Sequence, residues 1–488
     1  MSGDINLFDS MKKILTYMIM AVASLAAVSC SDFLNVNPKG EVFDDDMFSD
    51  DEGYQDALYG VYSEIGNSNN LYAGYFLTMA ETMSWNFAST HYQLGNMAIC
   101  DWKNNGPTAI RKDVWTAAYK AINHLNNIIE HTEGKNPDVK HIDMYRGEAL
   151  ALRALLHFEL LRYFGAPKWA PESAKAETIP YVNTYSFTVK PYSSYDEAYN
   201  LILNDLKEAE SLLGDDKDYV TATRTNSATG FFDARITHMN LYAVQALIAR
   251  VYWSREDMDK AAEYAQKVID SKKFSFRPLN AFIQADNGTL DLNETIFGLY
   301  SESQKTMMNL YALGTTAASA SATLASDAIS LYNSEASSSR GDYRISAWFD
   351  VSDGKMTKMV NRIYYDGSSS YSGNSILGFS ILRIPEMYFI MAEYYMASDP
   401  AKAAEYFDAV TVTRGLDRLE DTGTALTAER LFNERRKEFY GEGFTWHEMK
   451  RMGKDIVTTY AGTIDGSDYS HYTVPRPESE DEARANLN

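Results

Sequence analysis

The sequence predicts an all-α protein: tetratricopeptide-like helical hairpins that form a right-handed superhelical scaffold, with long irregular loop insertions between them. Three observations predict it. Apolar residues recur at the 3.6-residue helical period in stretch after stretch. Two helical pairs share one register of small and aromatic residues. Long stretches without any period separate the pairs.

The helical stretches come in order. Tyr54, Ala57, Leu58, Val61, Tyr62 and Ile65 form the first stripe, behind Asp50 and Asp51 as N-cap candidates. Trp115, Ala118, Tyr119, Ile122, Leu125, Ile128 and Ile129 form the second. Ala149, Leu152, Leu156, Leu160 and Tyr163 form the third, which stops at Gly165 and Pro167. Ala198, Leu201, Ile202, Leu206, Ala209 and Leu213 form the fourth. Two pairs follow, Leu241–Tyr252 with Ala261–Ile269 and Glu386–Met396 with Ala401–Val412, and a last helix lies near Thr427–Tyr440. In the first pair Ala249 and Tyr252 are followed by Ala261, and in the second Ala392 and Tyr395 by Ala404. That shared spacing is similar to the tetratricopeptide repeat, where small residues let two antiparallel helices approach closely. The stretches Met83–Arg111, Ala166–Tyr195 and Phe274–Leu382 lack a period and read as insertions, because structureless loops of that length are otherwise uncommon.

Composition excludes several classes. With 45% hydrophobic and 23% charged residues, the 488-residue chain is globular in type rather than disordered. A net charge of −22 argues against nucleic acid and against a polybasic membrane patch. Two cysteines cannot build a disulfide scaffold or a Cys-rich zinc site. Tyrosine is abundant, 34 against 22 phenylalanines, and an apolar ring with a polar tip suits wet interfaces.

The N-terminus reads as an address. Lys12 and Lys13 precede an apolar run, Ile14–Val28, that is too short to span a bilayer. The run ends in Ala27-Val28-Ser29-Cys30, similar to a lipobox, with Ala27 at the position that is usually Leu. Residues 1–29 are therefore expected to be a signal peptide whose true start is Met11. Cys30 is expected to carry lipid, an anchor that gains about 0.8 kcal/mol per buried methylene. An acidic tether over 30–50 would lead to one domain over 51–488, with an N-terminal part to about 270 and a C-terminal part beyond. Asp44, Asp45 and Asp46 do not begin a calcium loop, because Met47-Phe48 breaks the ligand spacing.

The search for chemistry finds no His-Glu-x-x-His, nucleophile elbow, Walker loop or dinucleotide glycine pattern, so no catalytic residue, metal or cofactor is assigned. Glu148 with Arg153, Arg383 with Glu386, and Glu434, Arg435, Arg436, Glu438 and Glu442 read as structural ion pairs. An adjacent Arg lowers a carboxyl pKa and spoils it as a general acid. The aromatic segment is different. Trp85, Asn86, His91, Tyr92, Trp102 and Asn104 combine rings that pack on sugar C–H faces with amides that bind hydroxyls. They are either a glycan platform or residues buried under the loop. Tyr300 and Tyr371 are further candidates of the same kind.

Five blocks, in order, carry a resemblance. Ser29-Cys30-Ser31-Asp32-Phe33-Leu34 with Asn37-Pro38-Lys39-Gly40 resembles the mature start of SusD/RagB-type lipoproteins. Trp115…Tyr119…Ile122 with Asn126-Asn127 resembles their second helix, and Glu148-Ala149, Arg153-Ala154 and Tyr163-Phe164-Gly165 their helix ending in a Tyr-Gly turn. Leu382–Tyr388 with Ala392-Glu393, and Glu434–Glu438 with Glu442-Gly443 and Arg451-Met452-Gly453, resemble their last two blocks. Thr411 and Thr413 stand where the family usually has Asn and Arg. The resemblance implies a SusD-like fold, a lipid-anchored outer-membrane protein facing outward, and no enzymatic activity. It further implies capture of oligosaccharides, or in some members peptides, for a SusC-like TonB-dependent transporter that the protein caps. Ligand residues vary within the family, so the aromatic candidates rest on their chemistry alone. A peptide-binding tetratricopeptide lipoprotein and a helical glycoside hydrolase are the competing readings.

Overall fold

The structure is a computed structural model that describes residues 47–68, 71–88, 92–134, 136–222, 230–279, 282, 289–301, 323–324, 327–333, 341–352, 355–358, 376–458 and 461–485. The chain divides into two units, Met1–Ser49 and Asp50–Asn488, and the architecture that follows is that of the second. Cys30 lies outside the described residues.

Helices dominate. In chain order the principal ones are α1 (Asp51–Ser63), α2 (Thr78–Met83), α3 (Tyr92–Ala98), α4 (Asn105–His131), α5 (Ile142–Phe164) and α6 (Tyr195–Leu212). They continue with α7 (Leu241–Ser254), α8 (Met258–Asp270), α9 (Ile384–Tyr395), α10 (Pro400–Thr411), α11 (Ala428–Glu438) and α12 (Thr445–Met452). Caps set several starts. The Asp50 carboxylate accepts from the Gly53 amide, Ser194 and Glu197 form a reciprocal capping box on α6, and Asn240, Asp257, Asp399 and Thr427 cap α7, α8, α10 and α11. From α4 to α10 each helix packs on the next, so the expected stack of helical hairpins is present.

The two matched hairpins differ by one residue. The Tyr252 carbonyl accepts from the Asp257 amide, whereas the Tyr395 carbonyl accepts from the Asp399 amide, a turn one residue shorter. Ala249, Ala261 and Ala392 are buried as the repeat requires. The second hairpin buries Ala403 in place of the expected Ala404, which is half-buried. The tyrosines keep the correspondence: the Tyr252 and Tyr264 rings lie 6.1 Å apart across one hairpin, and Tyr395 stacks on Tyr406 at 5.9 Å across the other.

Helix α5 is the spine. Of its residues only Asp143, Arg146 and Arg162 escape burial. A helix buried all round shows no amphipathic stripe, and its polar groups must find partners. Here the structure corrects the ion pairs read from sequence proximity. Glu148 is bound by Arg235, His238 and Tyr62. Arg153 forms a fork on Asp205, at 2.7 and 2.8 Å. Five residues apart on a helix, Glu148 and Arg153 point to different faces. Likewise Glu386 pairs with Arg250 at 2.6 Å, while Arg383 joins Glu294, Glu438 and Glu442.

The long insertions hold more order than their sequence suggests. Helix α3 lies inside Met83–Arg111, and α4 begins at Asn105, ten residues before the apolar stripe at Trp115. Pro107 in its first turn is tolerated because that turn lacks internal N–H partners. Strands β1 (Phe87–Ala88), β2 (Thr295–Tyr300), β3 (Thr323–Leu324), β4 (Phe349–Asp350), β5 (Lys355–Met356) and β6 (Gly378–Arg383) make three two-stranded antiparallel ribbons, β1–β3, β2–β6 and β4–β5. In β2–β6, Thr295 faces Arg383 and Tyr300 faces Gly378. Gly378 is needed there, because its φ is +154° and a Cβ would come within 2.2 Å of the Leu299 carbonyl oxygen.

A buried charge network joins this region to α11. Glu438 accepts from Arg414 and Arg383, each at 2.7 Å, and from Arg344 at 3.0 Å. Arg414 and Arg383 also hold Glu294, at 2.8 and 2.9 Å, and Arg344 holds Asp342 and Glu434, at 2.7 and 2.6 Å. Burial pushes the Glu438 carboxyl up, but Arg414 and Arg383 outweigh it and hold it well below the usual carboxylate range. Removing one member of such a network leaves an uncompensated buried charge. Arg414→Ala is expected to lower stability by about 3–5 kcal/mol. Urea unfolding followed by circular dichroism checks this, and a loss near zero would show that the network is solvated.

Candidate functional site

The aromatic segment begins where α2 ends. Trp85 has a left-handed backbone, φ 56°, that turns the chain out of α2 and into β1. Its amide bonds to the Thr82 carbonyl at 3.2 Å, and the Asn86 amide to that of Glu81 at 3.2 Å. The Trp85 ring is buried, 3% exposed, and its indole N–H donates to the Ala98 carbonyl at 2.9 Å. Trp85 therefore fastens α3 to the end of α2.

Asn86 is wholly buried and fully engaged. Its Nδ2 donates to Glu81 at 2.8 Å and to the Thr445 hydroxyl at 3.1 Å, its Oδ1 accepts from Arg436 Nε at 2.8 Å, and its carbonyl accepts from the Tyr440 hydroxyl. Of the two readings of this pair, burial under the loop is the one the structure shows. Neither side chain presents a face to solvent, and the expectation of an exposed Trp85–Asn86 platform is corrected on that ground.

What Asn86 does is pass a polar chain from the core to the surface. Arg436 continues from it to Asp327 at 2.8 Å, whose side chain is 56% exposed. Asp327 follows β3, and β3 pairs with β1, Phe87 opposite Leu324 and Ala88 opposite Thr323. Strand β5 lies against β3. Two irregular parts of the sequence, separated by more than two hundred residues, are thus pinned together. Arg436 stood in the charged block of the sequence, but Asp327 and Glu81 carried no signal.

Glu81 is the base of this chain and an unusual acid. Its Oε1 accepts from the Gly443 amide at 2.7 Å and its Oε2 from Asn86. Burial pushes its pKa from the ordinary 4.5 up to about 7, against the pull of Asn86 and the Gly443 amide. Glu148 is the contrast. Burial raises it too, but Arg235 and His238 outweigh that and hold it at about 2.

The other candidates are placed differently. Trp102 is half-buried. Its carbonyl accepts from Arg111 at 3.2 Å, while its indole N–H makes no hydrogen bond among the described residues. Asn104 is exposed and donates to Asp101 at 3.1 Å. Tyr300 ends β2 and is 44% exposed. His91, Tyr371 and the side chain of Tyr92 lie outside the described residues. Among the described residues, no three His, Cys, Asp or Glu side chains group to hold a metal. Cys100 is half-buried, with its thiol pushed up to about 12 by burial and then by Asp468, which makes it a poor nucleophile.

Comparison with known proteins follows the same outline. Residues 32–253 match the family described as "Starch-binding associating with outer membrane", and residues 314–485 the family described as "SusD family". SusD-like protein P2 of Formosa agariphila is 27% identical over 295 residues, 57% of this chain and 51% of that protein, so the chain spans about half the length of this curated relative. A SusD superfamily protein from Bacteroides fragilis shares the fold with a TM-score of 0.70 at 22% identity, over 89% of this chain and 98% of the other. A protein named as a laminarin-binding SusD-like protein shares it with a TM-score of 0.62 at 16% identity, over 83% and 92%.

Glu81 makes the joint pH-sensitive in a defined direction. Its folded pKa lies above its ordinary value, so the folded state holds a proton that the unfolded state releases between about pH 4.5 and 7. Stability from this group is complete below that window, falls through it, and is flat above it. The difference amounts to about 3 kcal/mol. The variant Glu81→Gln should therefore gain stability relative to the parent as pH rises from 5 to about 7. Parallel thermal melts across that range are the check, and a constant difference in melting temperature contradicts it.

Proposed function

The chain belongs to the SusD/RagB family, and on that premise we propose that it is an outward-facing outer-membrane lipoprotein that binds glycans without cleaving them. In this reading Cys30 carries the lipid, the bound ligand is an oligosaccharide, and a SusC-like TonB-dependent transporter receives it. The observation that carries the reading is continuity: two successive matches to SusD families cover both halves of the chain, over residues 32–253 and 314–485. The related fold of a protein named for laminarin binding supports the ligand class.

The site chemistry supports binding over turnover. A glycosidase needs an acid with a raised pKa facing a second carboxylate across an open cleft. Glu81 has the raised pKa, but it is buried and bonded to Asn86 and the Gly443 amide. Glu148, Glu434 and Glu438 are locked on arginines. Trp102, Asn104 and Tyr300 keep exposed surface and are the proposed ligand contacts among the described candidates. Trp85 and Asn86 act beneath them as positioning residues. Among the described residues, no helix is long and apolar enough to cross a membrane.

A thermal-shift series with maltoheptaose and laminarihexaose tests the function. A bound sugar at a hundred times its Kd should add about 2.7 kcal/mol of stability. Trp102→Ala should weaken that binding by about tenfold, the size of one lost ring contact. Trp85→Ala should instead cost about 3–5 kcal/mol of stability as a core truncation. Release of shorter sugars by the purified chain, or no shift with either sugar, would count against the proposal.

A further inference from the structure

An open groove along the described scaffold lies away from the aromatic segment. It has a volume of about 850 Å³, within the range of ligand sites, and shares no lining residue with the site above. Its walls come from three pieces of the helical stack: the stretch Lys168–Ala176 after α5, the start of α6 at Ser194–Asp196, and the turn from α7 into α8 at Arg255–Asp259.

The lining has a regular chemistry. Lys168 pairs with Glu256 at 3.2 Å, Lys175 with Glu172 at 2.7 Å, and Arg255 with Asp196 at 3.3 Å. Each pair sets an N–H donor beside a carboxylate acceptor at the groove surface. Lys168 and Glu256 are 47% and 40% exposed in their side chains, and Asp196 is 75% exposed. The Lys175 ammonium lies 5.8 Å from the centre of the Tyr195 ring. Ala176 and Met258 supply the aliphatic lining.

We propose that this groove is a second saccharide-binding surface, built on the helical scaffold and not on the loops. Neighbouring sugar hydroxyls each donate and accept, and they stand about a hydrogen bond's length apart. A vicinal diol therefore satisfies both halves of a surface ion pair at once. Opening such a pair costs little, because exposed pairs are worth about 0–1 kcal/mol. Carboxylates outnumber cations in the lining, which disfavours phosphorylated or acidic ligands, and the small apolar share disfavours a lipid or an apolar peptide. The ligand class rests on the glycan-binding reading above; the position of the groove does not.

Lysine labelling of the full chain separates the two. Limiting acetylation, read residue by residue by mass spectrometry, is run with and without maltoheptaose and laminarihexaose in a concentration series. With at least one sugar, labelling of Lys168 should slow saturably, by about tenfold at ten times the Kd. The protection should persist in Trp102→Ala. It should vanish in the double variant Asp196→Ala, Arg255→Ala, whose helical circular dichroism is expected to match the parent. Lys103, beside Trp102, reports on the loop site. Protection of Lys103 with none at Lys168 overturns the groove and leaves glycan binding intact. Protection of neither residue by either sugar overturns both. Protection of Lys168 by an unrelated peptide, and by neither sugar, overturns the saccharide assignment.

Discussion

The buried carboxylate of Glu438 is the interaction on which the C-terminal half depends. Three guanidiniums converge on it, from Arg344, Arg383 and Arg414. They come from a short helix at 343–348, from the end of β6, and from the turn after α10. Residues far apart in sequence and poor in helical period are thereby given one fixed meeting point on α11. The arrangement survives burial because the acids and bases are matched. Glu294, Glu434, Asp342 and Glu442 share the remaining guanidinium hydrogens, so no ion in the cluster is left to bear its desolvation alone.

That anchoring is what lets loops carry a site. Helical hairpins are rigid but present mainly small and aromatic packing residues, whereas irregular segments present varied chemistry yet need support. The chain Glu81–Asn86–Arg436–Asp327 supplies the support on the N-terminal side, running from a buried acid to the surface beside the β1–β3 ribbon. It does for the aromatic segment what the Glu438 cluster does for the later one. Both systems end on α11, whose Arg436 and Glu438 lie two residues apart and so point to different sides of the helix. One helix thus coordinates the two segments.

Much of the fold was legible because it repeats. The alanines and tyrosines of the two hairpins imply close helix packing, and tyrosines in each hairpin meet across it. Even there the one-residue difference in the turns stayed hidden, since Ala403 and Ala404 are the same residue type and only burial tells them apart. Strands β2 and β6 were not legible: six residues each, they pair across some eighty positions and show no long alternating pattern. The candidate site was legible as a composition and not as an arrangement. Trp85 and Trp102 look alike in sequence, yet a left-handed turn at Trp85 drives one ring into the core while the other keeps solvent on one side.

Local chemistry was thus available from the chain by itself: helix caps, the hairpin register, the blocks that resemble the SusD family, and the tyrosine excess that the hairpins partly absorb. Periodicity and capping act within a few residues, so they are written where they are read. Tertiary structure alone decided who pairs with whom. Glu148 bonds to Arg235 and not to the nearby Arg153, Arg383 to Glu438 and not to Glu386, and Asn86 to Arg436 across 350 residues. The reason is physical. A buried charge or amide must find its partner wherever the packed helices bring one, and the energy of leaving it unpaired is paid in space, without regard to distance along the chain.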